Sequence, residues 1–303
     1  MVTLHDDPEV EAVFQAVAAY DPTGSRTAGV LRYTLDQLYD GQRTGRYRWE
    51  QLHKTEKTHC GTLVEINMQR TFLFNDGEVL DFAIDGIEVD CKYSQKKASW
   101  MIPLEARGKI ILGLWADDQQ SKWSMGVVRA EERYLGSGSN RDRKTSLNAG
   151  GRAAIEWLFD DAELPPNVLL HLPNEVAAEI MAPQGDRHGS ERVRRLFRLA
   201  QGILISRTAV ETAAQQKDSM KRVRGNGGAR SALAPEGIII LGQYESHRSI
   251  AVAMGLPQPG PGESLSARIV PASENDGAKI HGAWWRVAQP GDPVVLAPAL
   301  PAQ

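Results

Sequence analysis

Residues 78–93 read EVLDFAIDGIEVDCKY, and the fold of the N-terminal half turns on them. Apolar and polar positions alternate on either side of Asp85-Gly86, a pair suited to the two left-handed residues of a tight turn, so the stretch predicts a β-hairpin. Side chains change face at a period of two: Val89 and Cys91 point one way, Asp90 and Lys92 the other. Asp81, on the preceding strand, can reach that second face across the ladder. Two carboxylates converging beside a lysine can hold Mg²⁺ through oxygen ligands, with the ammonium orienting or deprotonating a water. Glu65, in the helix ahead of the hairpin, can complete or relay such a site. The same spacing also describes an exposed ladder of ion pairs, stabilising by well under ~1 kcal/mol. Spacing leaves both readings open.

Outward from the hairpin, the pattern is helical before and mixed after. Asp7-Pro8 predicts an N-cap with proline in the first turn, opening a helix to about Tyr20. DPTG (21–24) is a turn. A second helix carries Val30, Leu31, Leu35 and Leu38, with Gly41 placed to end it, and a third spans roughly Thr55 to Met68. TFLF, the turn NDG and the hairpin read as a three-stranded meander, and KIILGLWA and SMGVVRAEE as two more strands. This order predicts an α/β (α+β) domain over residues 1–160, joined through residues 161–165 of DDAELPPN to a second domain over 166–303. There NVLLHLP reads as a strand, Asn174 to Met181 and SERVRRLFRLAQG as helices, and GIIILG, SLSARIVPA and HGAWWRVA as strands before a Pro/Ala tail expected to be disordered. Short helices followed by a β-wing predict a winged helix-turn-helix.

Composition is that of an ordinary globular chain, 42% hydrophobic and 24% charged. No apolar run approaches the ~18 residues of a membrane span, and the N-terminus has no signal-peptide pattern. Cys60 and Cys91 are too few and too far apart for a disulfide framework or a zinc site, so a reducing cytoplasm is the expected compartment. The net charge of −3 conceals an asymmetry. Asp186 to Arg230 holds eleven Lys/Arg against four Asp/Glu, a local +7 on a body carrying −10. A basic block of that kind predicts a polyanionic partner, and double-stranded DNA is the obvious one. A solvated helix face is the other reading.

Two groups suit contacts with DNA. Arg141, Asp142, Arg143 and Lys144 lie in the Gly/Ser-rich loop 136–151, where arginine suits the two acceptors of guanine and aspartate the amino donor of cytosine. In the second domain Lys221, Arg222, Arg224, Asn226 and Arg230 flank Gly225, Gly227 and Gly228, where backbone amides can approach phosphates.

Asp-x8-Asp-x-Lys fits the PD-(D/E)xK nuclease pattern, and a wider likeness supports it. SRTAGVLRYTLDQLYDGQRTGR, LHKTEKTHCGTLVEIN and DGIEVDCK resemble the nuclease domain of the NaeI restriction endonuclease family. MKRVRGNGGARSALAPEGIIILG and PGDPVV resemble its C-terminal domain. The resemblance implies a restriction-endonuclease-like domain followed by a catabolite-activator-like winged helix-turn-helix. It also implies a homodimeric, Mg²⁺-dependent type IIE restriction enzyme without a nucleotide cofactor, cutting a GCCGGC-like palindrome and activated by a second DNA copy on the C-terminal domain. The family's catalytic set falls on Glu65, Asp81, Asp90 and Lys92, the three carboxylates being its metal ligands. The chain departs from the family at Cys60 and in the loops around 136–145 and 183–190. A repair nuclease of the same fold, or a DNA-binding regulator with an inactive nuclease domain, are the alternatives.

Overall fold

In the computed structural model, which describes residues 7–138, 142–183, 188–223 and 227–301, the first helix starts where Asp7-Pro8 predicts. Asp7 caps α1 (Pro8–Tyr20), accepting from the Glu9 and Val10 amides at 3.1 and 3.2 Å. Val10, Val13 and Val17 bury its apolar stripe. Arg129 pairs with Asp7 at 2.5 Å, and this bond, with the two capping amides, holds the carboxyl below its usual 3.8 despite partial burial. These partners favour the ionised form. Their stabilisation is therefore complete well above pH 3.8 and is lost as the pH falls through the lower folded value. Asp7→Ala is expected to cost about 1–2 kcal/mol at neutral pH. In acid-denaturation curves the gap from wild type should narrow as Asp7 protonates; a constant gap to the acid end would contradict the linkage.

α2 (Ser25–Tyr39) does not end on Gly41. Asp40 takes the left-handed turn at φ 46°, and Gly41 opens the short α3 (Gly41–Thr44). The next helix, α4 (Lys54–Phe72), runs past its expected end and takes in Thr71 and Phe72 of TFLF, which are not a strand. The reason is spacing: Cys60, Val64, Met68 and Phe72 recur every four residues and bury one continuous stripe. The strand β1 (Asn75–Asp76) falls instead on residues read as a turn.

Two compact units follow, residues 1–38 with 52–166 and residues 39–51 with 167–303. In the first, β1, β2 (Phe82–Ile84), β3 (Ile87–Ser94), β4 (Ile110–Asp117), β5 (Lys122–Arg129) and β6 (Glu156–Glu163) form a sheet in sequence order, with the short α5 (Ala149–Ala153) leading into β6. β3 and β4 are parallel and the other neighbours antiparallel. β6, unread in the sequence, extends three residues into the stretch taken as linker. Registers Asp90↔Ile111 and Ile111↔Val128 put Asp90 on the face of the cluster containing Trp100, Ile102, Ile111 and Val128.

In the second unit NVLLHLP forms a turn of helix, α6 (Val168–His171), rather than a strand; Val168, Leu169 and Leu170 are all buried, which a two-period strand on one surface does not allow. Then come α7 (Asn174–Met181), α8 (His188–Leu199), β7 (Ile205–Ser206), α9 (Arg207–Ala214), α10 (Ala229–Leu233), β8 (Ile238–Gly242), α11 (Glu245–Ala253), β9 (Glu263–Pro271), β10 (Ala278–Ile280) and β11 (Ala283–Val287). β9 pairs with β11, β7 and β8, and β10 pairs with β11. Every residue of β8 is buried because the strand divides two cores. Ile238 and Ile240 pack with Leu196, Phe197 and Leu233, while Ile239 and Leu241 pack with Ile250, Leu265 and Ile269. The Pro/Ala tail is ordered to residue 301. Ala297 is buried with its amide on the Ala234 carbonyl, and Arg268 binds the carbonyls of Gln289, Asp292 and Pro293.

Candidate active site

The hairpin turns at Asp85 and Gly86, both left-handed at φ 50° and 79°. Pairs Ile84↔Ile87 and Phe82↔Val89 then fix a register that, carried one residue further, sets Asp81 opposite Asp90. Asp81 Oδ2 accepts from the Cys91 amide at 2.8 Å. Lys92 Nζ donates to Asp90 Oδ1 at 2.6 Å and to the Cys91 carbonyl at 2.9 Å, and lies 3.4 Å from Asp81 Oδ2. Asp90 is 3% exposed. Asp81, Asp90 and Lys92 therefore meet at one point, as the alternation predicts, and the exposed ion-pair ladder does not describe them.

Burial dominates their electrostatics. It pushes the Asp90 carboxyl up to about 6, against the pull of the Lys92 charge and with a further push from Asp81. Burial also works to lower Lys92, but the charge and hydrogen bond of Asp90, with Asp81, outweigh it and leave the ammonium above its usual value. At neutral pH the pair is ionised. Glu65, half-buried in α4, is raised first by burial and then by Asp81, with Lys92 opposing. Burial pushes the Cys60 thiol up to about 12 and Cys91 well above its usual range, so neither is a nucleophile at neutral pH.

The group's fit to Mg²⁺ rests on Asp90 Oδ2, a buried oxygen with no hydrogen-bond partner among the described residues. Among the described residues no three His, Cys, Asp or Glu stand assembled as a metal cage. The three-carboxylate set is thus not preformed, and Glu65 shares the field of the pair rather than its contacts. Two carboxylates with an unused oxygen nonetheless fit Mg²⁺, which binds through one or two carboxylates and fills its octahedron with water and phosphate oxygens.

One residue here escaped the sequence reading. Glu88, two positions before Asp90, accepts from the amides of Glu78, Val79 and Leu80 at 2.6, 3.1 and 2.8 Å, and these bonds lower its pKa. It fixes the loop that delivers Asp81. Gly77 belongs to the same device, since a Cβ there would lie 2.3 Å from the Leu80 carbonyl oxygen.

The other candidates divide. Asp142 and Arg143 are exposed and Lys144 half-buried, on a loop whose base is fixed by Thr145 bonding the Ile102, Gly136 and Gly138 backbone. Lys221 and Arg222 are exposed. Arg141, Arg224 and Asn226 lie outside the described residues. Arg230 turns inward, Nε to the Ile240 carbonyl at 3.0 Å. Much of the basic block is likewise turned to internal use. Arg192 binds the Ala213 and Ala214 carbonyls, Arg195 those of Glu179 and Ala182, and Arg198 the Glu236 carboxylate. The local +7 therefore overstates the charge presented outward.

A mixed sheet carrying a buried aspartate, a second aspartate and a lysine on one hairpin is consistent with a protein of the restriction-endonuclease class. A family model described as restriction endonuclease NaeI matches residues 11–296, and the chain belongs to that family. The type II restriction enzyme NaeI of Lentzea aerocolonigenes is 51% identical over 302 residues, covering 97% of this chain and 95% of its own. The chain is accordingly an enzyme, a type II restriction endonuclease and so a hydrolase. Among the described residues, no helix is long and apolar enough to cross a membrane.

Proposed function

We propose that the chain is a cytoplasmic type IIE enzyme that hydrolyses both strands of double-stranded DNA at a G·C-rich, GCCGGC-like palindrome, with Asp81 and Asp90 holding Mg²⁺ and Glu65 completing or relaying the site. The observation that carries this is the meeting of Asp81, Asp90 and Lys92 around a buried, unpartnered Asp90 oxygen. Bound Mg²⁺ supplies a Lewis acid that activates water and neutralises the phosphate. Lys92, kept as an ammonium, cannot take a proton at neutral pH; it orients the water and stabilises charge developing on the phosphate. The Cys91 amide and Glu88 hold Asp81 in place. A plasmid digest tests the reading: discrete bands with Mg²⁺ and none with EDTA are expected. Structure-dependent nicking, or binding without cutting, would overturn it in favour of a repair nuclease or a regulator.

Cutting a palindrome calls for two sites about a two-fold axis, so a homodimer is expected in sedimentation. The second unit, with short helices α8 and α9 ahead of strands β8 to β11, is read as a winged helix-turn-helix that binds a second DNA copy and activates cleavage. Exposed Lys221 and Arg222 and the loop of Asp142, Arg143 and Lys144 support DNA contact, and Arg141, Arg224 and Asn226 complete the proposed set. On this reading a short oligonucleotide carrying the site should accelerate cutting of a single-site plasmid. Neutralising Lys221 and Arg222 together should abolish that acceleration and reduce the salt slope of binding by about 2. Equal rates on one-site and two-site plasmids, unmoved by the oligonucleotide, would leave the second unit as an anchor only.

A further inference from the structure

A pocket of about 800 Å³ lies wholly within the second unit, where the end of β8, α10 and α11 meet the C-terminal tail. Ile239, Ala234, Ala297 and Leu300 supply apolar walls. Its polar groups are few and short of partners. His247 is 2% exposed; its Nδ1 accepts from the Gly242 amide at 3.1 Å, so the proton sits on Nε2. Among the described residues no well-aligned acceptor meets that Nε2; the Pro301 carbonyl lies near it and favours the protonated ring, against the pull of burial. Tyr244 stacks edge-on against the imidazole at 5.3 Å. Arg230, half-buried at the same wall, has one hydrogen bond, through Nε, and no carboxylate partner among the described residues.

A half-buried guanidinium with no carboxylate partner among the described residues, beside a buried imidazole N–H, turns cationic and donor groups toward an apolar-walled pocket, an arrangement that an anionic ligand would complete. Burial lowers the Arg230 pKa, and Arg230 in turn lowers that of His247, after burial. Both effects describe a site of positive potential with a low-dielectric lining. We propose that this pocket binds a small organic oxyanion, a carboxylate or phosphate monoester on an apolar body, with the guanidinium Nη donors of Arg230 as its counter-ion and His247 Nε2–H as a second donor. Guanidinium geometry suits either oxyanion in a two-pronged contact. A pocket with an apolar floor suits a small body, whereas duplex phosphates need cations presented outward, as Lys221 and Arg222 are. The assignment is independent of the cleavage reaction.

The full-length protein, with its isoleucine δ-methyls labelled with carbon-13, can be titrated with benzoate, phenyl phosphate, benzyl alcohol and inorganic phosphate. Benzoate and phenyl phosphate are expected to shift the Ile238, Ile239 and Ile240 methyls, with Kd on the order of 1 mM or tighter. Benzyl alcohol, the same ring without charge, should bind about tenfold more weakly, as should inorganic phosphate, which lacks the ring. Arg230→Gln should reduce benzoate to the level of benzyl alcohol. If that variant does not fold, the wild-type comparison of charged and neutral ligands decides. Equal binding of benzoate and benzyl alcohol would leave an apolar cavity only. Inorganic phosphate matching phenyl phosphate would leave a simple ion site. Displacement of benzoate by nonspecific duplex would return Arg230 to DNA contact. Any of these, or no shift at the three methyls, overturns the proposal.

Discussion

Asp90→Asn should remove Mg²⁺-dependent cleavage, by roughly three orders of magnitude or more, while leaving DNA binding in place. Asparagine fills the same space and can still accept from Lys92 at one oxygen, so the hairpin keeps its shape. What it cannot supply is the second anionic oxygen, the buried Oδ2 that has no hydrogen-bond partner among the described residues. Stability should hardly move. The mutation relieves the burial that pushes the carboxyl up to about 6, a cost at neutral pH, and gives up the closer partner of Lys92, a loss of similar kind. The melting midpoint is expected to stay within about 4 °C of wild type. Lys92→Ala should lose cleavage as well, but with a readout of its own: it leaves Asp90 buried without a cation and should melt lower than Asp90→Asn. Substantial cutting by either purified variant would move the chemistry elsewhere.

How far the residues could be read in advance follows from which forces are local. The hairpin was legible because Asp85-Gly86 fixes the turn and a period of two fixes the faces, so Asp90 and Lys92 had to share one. α1 was legible from Asp7-Pro8. TFLF misled because four apolar or β-prone residues are too few to show a period, and the spacing from Cys60 to Phe72 settles them as helix. NVLLHLP misled for the same reason: a short apolar run reads as strand or helix alike, and its burial on all sides belongs to tertiary packing. Net charge pointed to a polyanionic partner, as a restriction enzyme requires, but not to which cations face outward. A charge count of 186–230 does not register neutral backbone carbonyls, and those that take up Arg192 and Arg195 lie 13 to 22 residues away along the chain. Proline and alanine predicted a loose tail, yet Ala297 is fixed by a hydrogen bond to Ala234, a contact no local pattern announces. The pair Asp81 and Asp90 could be seen; the groups that hold them in place could not.

Glu88 is the test of that last point, because it touches neither of the carboxylates it is argued to organise. Three consecutive amides, Glu78 to Leu80, converge on its two oxygens, and Asp81 is the next residue along. The hydrogen bonds of Leu80 and Glu78 hold Glu88 below its usual pKa, so it is ionised wherever the enzyme works. Cutting these bonds frees a loop that also depends on Gly77 for its close backbone approach, and leaves Asp81 held by the Cys91 amide and the more distant Lys92 ammonium. A ligand out of place by about 1 Å can cost on the order of 10²-fold in rate. Glu88→Ala is therefore expected to lower kcat by about that factor with KM for DNA little changed, and to raise the Mg²⁺ concentration needed for half-maximal rate. Glu88→Gln, with one acceptor oxygen in place of two, should fall between. A residue that only stabilised the hairpin would lower the melting midpoint and leave the Mg²⁺ requirement of the folded enzyme as it was. That outcome would separate the loop from the chemistry and leave Asp81 positioned by the strand register alone.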